Sequence, residues 1–263
     1  MTDLDYVARL EISEDPRLRS VAEATPKHDL IRRSVEAGPS SANALADTGG
    51  LRAAVNAGSV LSFVSGVTPE EKSDVLYSTQ LAQRAASARH DRFEETEAWY
   101  GLYAEVLERV GWTGESFAFT QRLSSAGEFR MDRSALDVIA TIATGNQLAV
   151  LVKALDTMKA LAEEDGAIRV FELQAVSERS GNYQLGAVQR SENGALSLAL
   201  GAFRFTTDDS RRRVLFWNWG GEDIRFWTAA QKMTLNREHY VGLRDAVAEK
   251  LGMEAADYIV DLA

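Results

Sequence analysis

The residue types that usually perform chemistry are present but scattered. The three histidines, His28, His90 and His239, lie far apart in sequence, and none falls in an H-x-H or H-E-x-x-H pattern. Carboxylates are plentiful but fall mostly on polar helical faces, and Glu163-Glu164-Asp165 reads as a helix end rather than an acid/base pair. There is no phosphate-cradling G-x-x-x-x-G-K-[ST], no dinucleotide-binding G-x-G-x-x-G and no G-x-S-x-G elbow. With no cysteine, thiolate chemistry and disulfides are excluded, and a structural zinc site loses its commonest ligand. The sequence therefore nominates no catalytic residue, no cofactor and no metal.

A different chemistry is suggested by an aromatic–basic cluster. Trp217, Trp219 and Trp227 fall within eleven residues around Gly220-Gly221, flanked by Phe216 and Phe226, and Arg211, Arg212 and Arg213 open the same segment. Indole rings carry a large apolar body with one polar N–H, and guanidinium groups pair with phosphate. A basic hairpin tip beside an aromatic belt suits lipid headgroups or a sugar surface. These six residues are the candidate binding site. The bland alternative is tryptophans buried between sheet and helix, with arginines on a solvated tip.

Two stretches without charge form the second candidate. Val138–Val152 reads VIATIATGNQLAVLV, and Ala53–Val67 reads AVNAGSVLSFVSGV after its first alanine. Both are too short for a membrane-spanning helix of about 20 residues. Gly145-Asn146 divides the first into two short helices, and the second is expected to line one helical face. Both are expected in the core, together, unless a trigger releases them.

The elements that would position these residues follow from pattern. Asp15-Pro16 and Thr25-Pro26 each pair an N-cap with proline at the first helical position, giving short helices near 16–24 and 26–37. Thr68-Pro69-Glu70-Glu71 opens a helix to about Arg89, and a second is expected from about Asp91 to Val110. Residues 113–131 read as an irregular connection or a hairpin. Helix resumes from Asp132 through about residue 164.

Beyond Asp165-Gly166 the period changes to two. Ile168–Ser177, Asn182–Arg190, Ala195–Thr206, Arg212–Trp219 and Glu222–Gln231 are expected as strands, with Asn193-Gly194 and Gly220-Gly221 as hairpin turns. A bulge is expected at Gly201, where Leu196, Leu198 and Leu200 give way to Phe203 and Phe205. Asn236 caps a last helix, with Leu235 and Tyr240 as a hydrophobic staple, and Tyr258–Val260 supplies an edge strand.

Charge and length set the remaining bounds. The 263 residues are 45% apolar and 26% charged, ordinary for a globular chain. The net charge of −10 argues against nucleic acid as a partner. Residues 1–165 carry 17 Lys+Arg against 26 Asp+Glu, and residues 166–263 carry 12 against 13, so the acidity is in the first part. The acidic beginning MTDLDYVARLEISED has no secretory pattern, which points to synthesis in the cytoplasm and, for any export, a non-classical route.

The fold expected is α+β: an acidic helical region over 1–165, packed on a five-stranded antiparallel meander with a C-terminal helix over 166–263. The function expected is a non-enzymatic, membrane-active protein of the pore-forming, toxin-like kind, which docks on lipid or glycan through its aromatic–basic hairpins and forms homo-oligomers. A self-assembling interaction module, and an enzyme whose site forms only in three dimensions, are the alternatives.

Overall fold

The structure, a computed structural model, describes residues 1–23, 52–122, 128–163, 165–208, 216, 218–220 and 224–262. The helix expected at 26–37 lies outside them. Two short helices, α1 (Asp3–Arg9) and α2 (Pro16–Glu23), come first. A tight hairpin of β1 (Ala53–Asn56) and β2 (Ser59–Phe63) leads into α3 (Pro69–Arg89) and α4 (Thr96–Arg109). Three short strands follow, β3 (Trp112–Thr113), β4 (Thr120–Arg122) and β5 (Glu128–Arg130), then helices α5 (Met131–Ala140), α6 (Gly145–Ala160) and α7 (Gly166–Ala175). Strands β6 (Ser180–Arg190), β7 (Leu196–Thr207), β8 (Asn218–Gly220) and β9 (Ile224–Leu235) precede α8 (Arg237–Val241), α9 (Arg244–Leu251), a 3₁₀ segment (Met253–Tyr258) and β10 (Ile259–Asp261).

The α+β class holds, but the sheet differs from a five-stranded meander. Eight strands form one mixed sheet in the order β10-β1-β2-β6-β7-β9-β3, with β4 also on β9. Strands β2 and β6 run parallel, and the other pairs are antiparallel. Strands from both sides of residue 166 are thus hydrogen-bonded into one sheet. Strand β7 pairs directly with β9, while β8 leaves the sheet and pairs with β5.

Two segments change type. Ala53–Val67 is the β1–β2 hairpin, not a helical face. Its turn places Ala57 at φ +52, which no α-helix accommodates, and both strands are buried on both faces. A strand covered on both sides reads as a continuous apolar run without period. The reverse error is at Ile168–Ser177, which is helix α7. Asp165 Oδ1 accepts the Ala167 N–H at 2.9 Å, so Asp165 opens this helix rather than closing the previous one. Buried Ala167, Ile168, Phe171 and Ala175 recur at helical steps.

Gly201 carries no bulge. The β6–β7 and β7–β9 registers run unbroken through it. What changes there is the face that bears the large residues. Leu196, Leu198 and Leu200 belong to one buried cluster, and Phe203 and Phe205 to a second on the opposite face. Helices cover both, giving three layers. The first face lies under α1, α3, α4, α8 and α9, and the second under α2, α5, α6 and α7.

Local signals place the covers. Thr68 and Glu71 form a reciprocal capping box at the start of α3, with Pro69 in its first turn. Thr144 and Gln147 do the same for α6, so the break in Val138–Val152 falls at 141–144 and Gly145 is already helical. Asn236 caps α8, and Leu235 and Tyr240 are both buried as the staple requires. The two uncharged stretches do meet: Val55 and Val60 share the second face's core with Val138, Ile139 and Leu151.

Candidate functional site

The residues nominated from sequence are reached only in part. Arg211, Arg212, Arg213 and Trp217 lie outside the described residues. Trp219 sits in β8, where its backbone pairs with Phe129. Trp227 lies in β9 opposite Arg204 of β7, half-buried, with the Arg204 guanidinium 5.0 Å from the ring centroid. This pair is on the first face, and β4 pairs with β9 beside it, Gln121 opposite Trp227. The other two tryptophans, Trp99 and Trp112, are fully buried, and their indole N–H groups donate to Ser87 Oγ and Ser78 Oγ at 2.9 Å.

The feature that sequence reading missed is the way α3 meets the sheet. Besides its apolar residues, α3 buries a polar stripe at helical spacing: Thr79, Gln80, Gln83 and Arg84. Such a stripe normally faces water, and no sequence signal separates the two cases. Here Thr79 and Gln83 are bonded to the β1–β2 hairpin, Gln80 to the 3₁₀ segment, and Arg84 to Ser13 O and to Leu251 O of α9. Asn56 Nδ2 donates to Leu76 O and to Thr79 Oγ1, both at 2.9 Å. Gln83 Nε2 donates to Asn56 O at 3.1 Å, and its Oε1 accepts the Gly58 N–H at 3.2 Å. Gln80 Nε2 donates to Ala255 O at 2.9 Å. These bonds are directional, so the cover is held in one register.

Charge holds the beginning of α3. Arg244 of α9 donates from Nε and Nη2 to the two oxygens of Asp74, each at 2.8 Å, and from Nη2 to Glu70 at 2.9 Å. Arg237 reaches Glu70 and Glu71 at 3.3 Å, and Arg190 of β6 lies 3.6 Å from Glu71. Burial pushes the Asp74 carboxyl up, against the Arg244 bonds that hold it down, while those same bonds push Arg244 up. The two directions disagree about what the pair is worth. The bidentate geometry decides for a charged pair, with most of the desolvation borne by the more buried Asp74.

The far end of the same hairpin is built differently. Arg92, in the α3–α4 connection, is almost fully buried and stacks 4.5 Å from the Trp99 ring centroid. Trp99 in turn stacks on Tyr103, at 5.3 Å and 11° between planes. Nη1 of Arg92 donates to Gln83 Oε1 at 3.1 Å. Burial lowers its pKa to about 10, and the groups opposing that shift are Tyr100 and Tyr103. A β-carbon at Gly58 would stand 2.5 Å from Arg92 Nη1, so only glycine leaves room for the guanidinium. Tyr100 Oη donates to Asn182 Oδ1 at 2.7 Å, and Asn182 Nδ2 donates to Arg92 O at 2.8 Å, which ties the connection to β6.

Among the described residues no cluster of His, Asp or Glu is arranged to hold a metal ion, and no helix is long and apolar enough to cross a membrane.

No protein-family profile matches the chain, and no curated protein matches its sequence. Several solved structures are similar to the chain, three of them as follows. A delta-endotoxin is similar over 68% of this chain and 81% of its own, at 9% identity and a TM-score of 0.43. The activated Cyt2Ba monomer from Bacillus thuringiensis subsp. israelensis is similar over 68% and 97%, at 10% identity and a TM-score of 0.40. The Evf virulence factor is similar over 72% and 76%, at 10% identity and a TM-score of 0.33. Function is therefore a question for the geometry.

Proposed function

We propose that this protein is membrane-active and that the element it delivers to the bilayer is its central sheet, released from a helical cover. The observation that carries this reading is the trio of adjacent antiparallel strands β6, β7 and β9, of 11, 12 and 12 residues, shielded by helices on both faces. Twelve strand residues at ~3.4 Å each reach about 40 Å. Tilted by ~45°, they cross about 29 Å, the thickness of a bilayer's hydrocarbon core.

Side-chain alternation along part of these strands supports the same reading. Over 180–185 and 202–207 the first face carries Ser180, Asn182, Gln184, Arg204 and Thr206, while the second carries Tyr183, Leu185, Phe203 and Phe205. One face would meet lipid and the other water in a closed assembly of several chains. Docking falls to the segment with Arg211, Arg212, Arg213, Trp217, Trp219 and Trp227, on anionic lipid or a glycan-bearing surface, and closure of the sheet edges requires homo-oligomers.

The test uses the absence of native cysteine. Asn56→Cys with Thr79→Cys places a bridge between β1 and α3. The expected result is dye release from anionic vesicles by the reduced protein, loss of release on oxidation, and recovery on reduction. No lipid-bound fraction and no release across anionic, zwitterionic and glycolipid-containing vesicles would overturn the membrane reading. Release that ignores the bridge would overturn sheet delivery alone.

A further inference from the structure

Buried arginines occur twice in the first cover layer, and they differ in one respect. Arg84 donates to Ser13 O at 2.8 Å and Leu251 O at 3.2 Å, stacks on Tyr258, and has Glu14, Glu254 and Asp257 close enough to favour its charge. Arg92 has no ion pair among the described residues. Its Nε and Nη2 are shielded from solvent and have no hydrogen-bond partner there, and its neighbours are the faces of aromatic rings. Cation–π attraction offsets part of what a lone buried charge costs, but not the lost hydration.

The discord extends across the same end of the hairpin. The Tyr103 hydroxyl, Arg204 Nε and Thr206 Oγ1 are also buried without partners. Glu95, at the N-cap of α4, makes no side-chain cap bond to that helix; its Oε2 accepts the Asp91 N–H at 3.0 Å, and Asp91 Oδ1 accepts the N–H groups of Phe93 and Glu94. The opposite end holds the α3 capping box, the Asp74–Arg244 pair and the apolar contacts of Val106, Leu107 and Val110. Buried polar atoms without a hydrogen bond occur at both ends, Glu71 Oε1, Arg237 Nε and Tyr240 Oη among them at this one. What differs is charge, which is paired where α3 begins and alone at Arg92.

From this asymmetry we infer that the α3–α4 hairpin opens from its 90–95 connection, hinged at the end where α3 begins, with the unpaired buried charge of Arg92 as the built-in destabilising element. A lone buried charge regains its hydration on local opening, which lowers the free energy of that opening. Once the connection lifts, Arg92 regains water, and the polar half of the first face (Asn182, Gln184, Arg204) is uncovered before the apolar half. As regulation of sheet release this rests on the membrane reading. The opening itself does not, and it is tested without lipid.

Amide hydrogen exchange on the unmodified protein is expected to be at least tenfold faster over 96–101 than over 104–109. Arg92→Met, which keeps the stem and removes the charge, is expected to slow exchange over 96–101 by tenfold or more and to leave 104–109 unchanged, while Arg92→Lys keeps the fast exchange. A uniform or reversed gradient in the unmodified protein overturns the inference, and that measurement stands even where a variant fails to fold. Faster exchange over 96–101 in a folded Arg92→Met protein also overturns it. Vesicle release is read separately: a normal gradient with no release on any lipid sinks the membrane reading and spares the opening, and release with a uniform gradient does the opposite.

Discussion

The two faces of one sheet are covered by helices in two ways. On the second face an aromatic ladder runs across the strands, Tyr183 on Phe203 at 5.1 Å and Phe203 on Phe226 at 5.9 Å, and Phe171 of α7 meets it 6.0 Å from Tyr183. Few directed bonds cross that interface, Gln147 Nε2 to Ala187 O at 2.8 Å being one. Under α3 and α4 the contact mixes apolar packing with buried amides, two arginines and an ionic cluster. Apolar contact is non-directional and tolerates small shifts, so it degrades gradually. A bonded polar seam holds one register and loses much of its energy when that register is lost. The aromatic face is suited to remain closed, and the polar face to separate as a unit.

That contrast is open to direct attack. The largest effect is expected from Phe203→Ala on the aromatic face, which removes the centre of the ladder and should lower unfolding free energy by about 3–5 kcal/mol in a urea titration. A loss under about 1 kcal/mol would mean that the ladder is not what closes this side. On the other face, Arg244→Met leaves Asp74 buried and unpaired and should cost about 1–3 kcal/mol. Its signature should be local, with faster amide exchange in α9 and the first turns of α3. A purely global effect would dissolve the distinction between the faces.

Smaller changes sharpen the comparison. Thr68→Ala and Thr144→Ala each delete a capping box, one in each cover, and should cost about 1 kcal/mol apiece. Equal losses in stability with unequal effects on vesicle release would show which cover moves.

The smallest effect concerns pH. The Asp74 carboxyl is raised in the folded state, so the folded protein takes up its proton more readily than the unfolded chain does. Its contribution to stability is therefore full below the unfolded carboxylate range and is lost as pH rises through the folded value. The gap between the unmodified protein and Asp74→Asn should shift in favour of the unmodified protein as pH falls from 7 towards 4. A shift in the other direction would make Asp74 an acid-released latch, which its environment argues against.

Parts of this fold were legible in advance. The bounds of α3 follow from Thr68-Pro69-Glu70-Glu71, and the β6–β7 hairpin from Asn193-Gly194, whose glycine takes φ +83. These signals work because caps and turns are satisfied by residues three or four positions away. The polar seam was not legible. Thr79, Gln80 and Gln83 look like a solvated stripe until Asn56 and Gly58 are laid against them. Arg92 looks like any arginine in a polar connection until Trp99 and Tyr103 close around it.

Sequence alone determined the α+β class, the starts of α2 and α3, the cap and staple at Asn236, and the edge strand at the end, while the one final helix expected there is divided into α8 and α9. It also excluded thiol chemistry and disfavoured nucleic acid. Tertiary structure alone decided that Ala53–Val67 is a hairpin and that Ile168–Ser177 is a helix. The reason is the same in both cases. Beyond its hairpin mate β1, β2 pairs with β6, more than a hundred residues away, and a short apolar run takes its conformation from whatever lies beside it. The same holds for the site, because whether a buried arginine meets a carboxylate or an aromatic ring depends on elements that sequence order does not bring together.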